Sequence, residues 1–297
     1  MLNSLHQSQL VNIEQFPNLD ANYVFDEGAQ LTLGDLHGNA LKLLYTLVRH
    51  GVIANISKQD YRDFVRLYNK TANEISAQDL KWFNKFIRKI KVNGKGTLRL
   101  IGDDLADRGA NDYFTLCILS KLLNRTNVEI IVSNHSIEFV RAYEQADKYV
   151  SNLLRFGQAA SMQNLQQLID QKLISRKEID TLMTSLYMPH VKLLSYTLDD
   201  ANNRLAIFSH APIGVECIQT IALKLGVAFK DETAKELAQT IENINHVFVE
   251  KYVKTKTVHT LFDNEAPSAR PEFVDPKVAP ITHLIWNRNH DVNRPCD

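Results

Sequence analysis

The sequence predicts an α/β fold built on a largely parallel, buried sheet. Short runs of Leu, Ile and Val alternate with stretches whose apolar residues recur at helical spacing, the pattern of parallel strands joined by helical crossovers. Several of these runs end in Gly or in clusters of Asp, Asn and His, and open α/β sheets place their ligands at such strand ends. A length of 297 residues, 44% hydrophobic and 23% charged, suits one large domain, 1–297, with insertions.

In chain order, Leu31-Thr32-Leu33 ends a first strand. Ala40 to His50 follows as a helix with Leu43, Leu44, Leu47 and Val48 on its inner side and Gly51 as its stop. Residues 57–92 read as a helical insertion of two helices joined near Asn73. Tyr61, Phe64, Val65 and Tyr68, then Leu80, Phe83, Ile87 and Ile90, keep helical spacing, and with Trp82 they supply the insertion's own core. Ser57 and Ser76 each precede an Asp by three positions, a capping pattern. Asn93-Gly94-Lys95-Gly96 turns into a second strand, Thr97 to Ile101. Tyr113 to Leu123 is a helix, and Val128 to Val132 is a third strand. Helical pattern fills Ile137 to Leu186. Val191 to Leu198 and Arg204 to Phe208 read as an antiparallel hairpin across residues 199–203. Ile218 to Tyr252 is mainly helical, Ala266 to Pro280 with its four prolines is a loop, and Ile281 to Trp286 reads as a last strand.

Composition narrows the function. Lys plus Arg equals Asp plus Glu at 34 each, so no global field draws the chain to nucleic acid or an anionic membrane. Cys117, Cys217 and Cys296 are far apart and form no CxxC pair, which points to neither a disulfide framework nor a thiolate zinc site. The polar stretch Met1 to Asp20 is no signal peptide, and no apolar run reaches the ~18 residues of a membrane span. A cytoplasmic protein is expected, or one exported by a route that reads no N-terminal signal.

Four polar clusters carry the chemistry. Gly34-Asp35-Leu36-His37-Gly38-Asn39 follows the first strand, where alternation sends Asp35 and His37 the same way. Gly102-Asp103-Asp104-Leu105-Ala106-Asp107-Arg108-Gly109 follows the second, Ser133-Asn134-His135 the third, and Ser209-His210-Ala211-Pro212 the hairpin strand. Taken alone, each has an ordinary reading: a turn Asp with a surface His, a structural Asp–Arg pair, a packed core histidine. Together they make a two-metal hydrolase kit. Two divalent ions about 3.5–4 Å apart need a bridging carboxylate with N and O ligands on either side, and acidify a water in line with phosphorus. Asp35 and His37 would serve one ion, Asn134 and His210 the other, with Asp103 between. Arg108 can grip phosphate oxygens, His135 can protonate the leaving oxygen, and Asp107 can orient that histidine.

These residues resemble the metallophosphoesterase (calcineurin-like) superfamily, and within it the phosphoprotein-phosphatase branch, which carries GDxHG, GDxxDRG, GNHE and a later histidine motif in this order. The resemblance implies a central β-sandwich flanked by helices. It also implies two divalent metal ions, Mn²⁺ first with Fe or Zn²⁺ as alternatives, and the residue roles just given. Leu284-Ile285-Trp286-Asn287-Arg288 resembles the family's Trp-containing strand, which would make Arg288 a further phosphate contact.

The chain departs from the pattern in three places. GDDLADRG holds one extra residue, so Asp103 or Asp104 is the bridge; Asp103 is preferred because it follows the strand and Gly102, and an added residue is absorbed as a bulge beyond it. Ser-Asn-His-Ser replaces Gly-Asn-His-Glu, so Ser133 and Ser136 alter the support of the ligand and the acid. No late Gly-His motif appears, and His283 and His290 lack its context, which leaves the second metal one ligand short. His6, His50, His190, His246 and His259 read as surface or packing residues.

The expected function is metal-dependent hydrolysis of phosphomonoesters by an activated water, on phosphorylated Ser, Thr or Tyr of proteins. The alternatives are a dinucleoside polyphosphate hydrolase and a truncated or pseudophosphatase binding protein. The expected partner is a phosphoprotein or a phosphorylated small molecule, with no nucleic acid and no membrane span. The long insert and altered motif edges resemble effector phosphatases of intracellular bacteria.

Overall fold

Side chains alternate across a strand, so a sheet needs a cover for each face. The structure, a computed structural model, describes residues 11–20, 24–122, 125–151, 158–265 and 271–288. The chain runs through β1 (Gln30–Leu33), α1 (Ala40–Arg49), β2 (Ile53–Ala54), α2 (Lys58–Tyr68), α3 (Ala77–Lys89), β3 (Lys91–Val92), β4 (Thr97–Leu100), α4 (Asp112–Leu122) and β5 (Asn127–Ile131). After these come α5 (Ser136–Glu144), α6 (Ala160–Asp170), α7 (Arg176–Leu182), β6 (Val191–Lys192), β7 (Ser195–Asp199) and β8 (Arg204–Phe208). Helices α8 (Val215–Leu225), α9 (Ala234–Phe248), α10 (Val258–Asp263) and α11 (Pro280–Trp286) complete it.

Strands β1, β4, β5 and β6 lie side by side in that order, all parallel. Strands added always on the same side, through right-handed crossovers, send their helices to one face. The β7–β8 hairpin covers the other. Thr32, Arg99 and Glu129 stand in register across β1, β4 and β5, and Arg99 Nε reaches Ser195 Oγ of β7 at 2.7 Å. Its guanidinium carbon lies 3.9 Å from the centroid of the Phe208 ring on β8. Leu98, Leu100, Val128 and Ile130 are buried in the continuous apolar core. The two-layered β core is therefore four strands against two, joined through a polar seam.

The two helices expected within the 57–92 insertion form as α2 and α3. Complete capping boxes start α2 at Ser57–Asp60 and α3 at Ser76–Asp79. The short β2–β3 pairing, Ile53 opposite Val92, clamps its neck. It is not a free module, because Phe83 packs edge-on against Phe114 of α4 with ring centroids 4.7 Å apart.

Two sequence expectations fail. Residues 281–286, expected as a strand, lie in helix α11. The expected strand Val191 to Leu198 divides: Val191–Lys192 closes the parallel sheet, and only residues from Ser195 onward enter the hairpin. Asn245 of α9 makes the break, since its Oδ1 accepts the N–H groups of Leu193 (3.1 Å) and Leu194 (3.3 Å) and its Nδ2 donates to the Leu194 carbonyl (2.8 Å). Backbone groups satisfied by a side chain need no neighbouring strand. The helical stretch from Ile137 on consists of α5, α6 and α7, with residues 152–157 outside the described ones; of the expected proline loop 266–280, residues 266–270 lie outside them, as do His290 and Cys296. Among the described residues no helix is long and apolar enough to cross a membrane.

Candidate active site

Beyond Leu33 the chain leaves the strand at once. Asp35 (φ 50°), His37 (φ 52°), Asp103 (φ 52°), Ala106 (φ 55°) and Asp107 (φ 107°) all take left-handed backbone conformations. Each costs on the order of 1–3 kcal/mol in a non-glycine residue and persists where the surroundings enforce it. Here a backbone weave does so. His37 N–H donates to the Asp103 carbonyl (2.5 Å), Gly38 N–H to that of Asp104 (3.1 Å), and Gly109 N–H to that of His37 (2.7 Å). A Cβ on Gly109 would lie 2.3 Å from the Gly38 carbonyl carbon, so only glycine permits the approach.

The weave converges side chains into two groups that share Asp103. His37, Asp103 and His135 form one and Asp35, Asp103 and His210 the other, each with its candidate ligand atoms within 4.8 Å of one another. The division differs from the expected pairing of Asp35 with His37. That pairing assumed strand alternation, whereas both residues lie past the strand in left-handed backbone. Asp107 was expected to orient His135; its Oδ2 lies 2.9 Å from His37 Nδ1 and 3.8 Å from His135 Nε2, so it sits closer to His37.

The donor count at His210 tests the site for a cation. Nδ1 faces the Ile101 carbonyl at 3.1 Å, and a carbonyl only accepts, so the tautomer protonated at Nδ1 satisfies that contact. In the neutral ring Nε2 is then an acceptor, yet it lies 2.8 Å from Asn134 Oδ1 and 3.5 Å from Asp103 Oδ1. With the proton on Nδ1, Nε2 and Asn134 Oδ1 are two acceptors set against each other, beside an Asp103 Oδ1 that takes the His135 N–H at 3.4 Å. A histidine donating one N–H to a backbone carbonyl and turning its other nitrogen inward is how metal-binding imidazoles are held. In the other group, buried His135 Nδ1 has no hydrogen-bond partner, and His37 Nδ1, though 2.9 Å from Asp107 Oδ2, is not aligned for a hydrogen bond to it. The N and O donors fit a first-row divalent ion.

Arg108 is largely exposed and donates to His37 Nε2 at 2.9 Å, leaving the rest of its guanidinium open to a ligand. Burial holds the His37 imidazole below its usual range, aided by the Arg108 and His135 charges and opposed by Asp103 and Asp107. Asp104 turns away from the cluster into the interior, where burial pushes its carboxyl up to about 6 against hydrogen bonds from Ser136 and Tyr187. Arg288, two residues past α11, is exposed and donates to the Asn287 carbonyl at 3.1 Å. That segment does touch the His210 loop, through Ala211 N–H to the Leu284 carbonyl (3.1 Å) and Asn287 Nδ2 to the Pro212 carbonyl (2.6 Å). His283 is occupied with the Val274 carbonyl at 2.8 Å.

Sequence reasoning missed Asp112 and Ser161. The Asp112 carboxylate accepts Ala106 N–H (3.1 Å) and the Ser161 hydroxyl (3.1 Å), pinning the loop that carries Asp107. Its only sequence signal is an acid opening α4. Burial pushes the Asp112 carboxyl up to about 7. Its unfolded value is about 3.9, so the native protein holds an extra proton between the two, and this stabilisation is complete below that value and lost as pH rises through about 7. Asp112→Asn keeps an acceptor and cannot ionise. In chelator, its melting temperature should fall less than the parent's between about pH 5 and 7.5; parallel curves would contradict this.

Residues 97–296 match the WipA-like phosphatase domain family. Among solved structures, the phosphatase domain from the Legionella effector WipB is similar, with 34% identity and a TM-score of 0.81 over 88% of this chain and 93% of that one. No curated protein matches the chain.

Proposed function

Because the chain belongs to the WipA-like phosphatase domain family, we propose that it is a metal-dependent phosphatase of the metallophosphoesterase type that hydrolyses phosphomonoesters on protein side chains. The observation carrying this reading is the convergence of N and O ligand atoms on Asp103, with His210 Nε2 2.8 Å from Asn134 Oδ1 and 3.5 Å from Asp103 Oδ1. His37 and Asp103 would hold one divalent ion, with His135 left beside it as the acid, and Asp35, Asp103 and His210, with Asn134 beside them, would hold a second. Ions bound there supply Lewis-acid activation of water and neutralise charge at phosphorus.

The chain's own residues supply the rest. Arg108 projects into solvent beside the cluster and binds two phosphate oxygens through its planar fork. His135, at the start of α5, donates a proton from a ring nitrogen to the leaving oxygen, and the Asp107 carboxylate 3.8 Å from its Nε2 favours the protonated ring beforehand. A cavity of about 310 Å³ opens beside Asn134, walled by Ile137, Phe262, Ile285 and Trp286, which suits a leaving group bulkier than water. A role as a bacterial effector, the description given to WipB, is part of the same proposal.

Purified protein with Mn²⁺ should hydrolyse p-nitrophenyl phosphate and phosphopeptides, lose that activity with a chelator, and regain it on adding Mn²⁺ back. His135→Ala should lower kcat about 10²–10⁴-fold. No turnover with any divalent metal, or turnover of diadenosine polyphosphate but not phosphopeptide, would overturn the reading.

A further inference from the structure

Two departures of the sequence, the added Asp104 and the serine at 136, meet in the protein interior. Asp104 is wholly buried, and its Oδ1 accepts the Ser136 hydroxyl at 2.8 Å. Ser136 Oγ lies 2.8 Å from Ser133 Oγ, which itself receives the N–H groups of Asp103 (2.8 Å) and Ser136 (3.2 Å). Proton count fixes the direction. A hydroxyl has one proton and two lone pairs. With two N–H groups on Ser133 Oγ, its proton goes to Ser136, whose own proton goes to Asp104. The bonds therefore run one way, from the Asp103 amide to the Asp104 carboxylate, and aligned bonds in a low-dielectric interior reinforce one another.

We propose that Asp104 is a positioning residue: acting through Ser136 and Ser133, it fixes the Asp103 N–H and with it the carboxylate common to both ligand groups. The proposal rests on the role given to Asp103 under the proposed function. Burying a carboxylate is costly, and an apolar side chain would fill the same space without that cost. What the carboxylate adds is a terminal acceptor. Asp103 needs the anchorage, because its backbone is held at φ 52°.

The test measures Mn²⁺ affinity of the full chain by titration calorimetry, with kcat and KM for p-nitrophenyl phosphate alongside. Asp104→Ala and Ser136→Ala should weaken Mn²⁺ binding about 10–100-fold, the range for losing a group that orients a metal ligand. Both should lower kcat with little change in KM. Asp104→Asn keeps an acceptor oxygen and should rescue binding to within about threefold of the parent. Parental Mn²⁺ affinity in Asp104→Ala would overturn the proposal. If that variant fails to fold, Ser136→Ala, which removes a single oxygen, decides by the same criterion. A parent chain that binds no Mn²⁺ would instead overturn the metal reading. The positioning role would then be read from exchange of the Asp103 amide hydrogen: faster in Asp104→Ala but not in Asp104→Asn supports it, and unchanged exchange overturns it.

Discussion

Asp103→Asn should lower kcat/KM for p-nitrophenyl phosphate by about 10³-fold or more, corresponding to roughly 4 kcal/mol of transition-state stabilisation. The reason is geometric. Asp103 is the one side chain common to both ligand groups, with Oδ2 3.7 Å from His37 Nδ1 and Oδ1 3.5 Å from His210 Nε2. Asparagine keeps the shape and the backbone N–H to Ser133, so the weave of loops survives while the shared charge is lost. Mn²⁺ binding should weaken at both groups. His210→Ala touches only one group and should leave the binding of the other ion near its parental strength. Calorimetry separates the two patterns. Activity of Asp103→Asn within about tenfold of the parent would contradict the assignment of Asp103 as the shared ligand.

Much of this candidate site was legible because the chemistry proposed for it restricts residue type: oxygen and imidazole side chains, a guanidinium, and glycines where loops touch. The order of the four clusters survives any error in strand boundaries. Side-chain direction was not legible. Period-two alternation holds inside a strand, and β1 ends at Leu33, two residues before Asp35. The left-handed backbone that follows is enforced by partners some 65 to 70 residues away, such as the Asp103 carbonyl that holds His37 N–H. Asp104 and Ser136 illustrate the same limit, since each departs from an expected motif and their contact spans 32 positions of sequence. The error at residues 281–286 is of another kind. A short apolar run fits a buried strand or a buried helix, and periodicity cannot choose between them. Pro280 before it was the available signal, because proline at the first helical position has its φ already set. No local signal marks the division of the expected strand Val191 to Leu198, because the residue responsible is Asn245 of α9.

The second large effect is expected in the seam between the β layers. Arg99 is 2% exposed, and its Nε lies 3.1 Å from Glu129 Oε2. Burial pushes the Glu129 carboxyl up, but Lys192 (2.8 Å), Ser195 (2.5 Å) and Arg99 outweigh this and hold it below its usual range. Glu129→Leu leaves the guanidinium buried with only neutral partners: Ser195 Oγ, the Tyr196 carbonyl, Gln30 and the Phe208 ring. Removing one member of a buried pair costs about 3–5 kcal/mol, which in a domain of this size lowers the melting temperature by roughly 10 °C. Arg99→Met combined with Glu129→Leu should recover most of that loss, because the stranded charge rather than the missing bond is what destabilises. The sign with pH is fixed as well. A carboxyl depressed on folding stabilises above its unfolded value of about 4.3 and loses that contribution as pH falls through its folded value. The gap between parent and Glu129→Leu should therefore narrow in acid. Because β8 ends two residues before His210, a loosened seam should also weaken the Asp35, Asp103 and His210 group while sparing that of His37 and His135. Equal loss at both groups would mean that the hairpin does not set the position of His210.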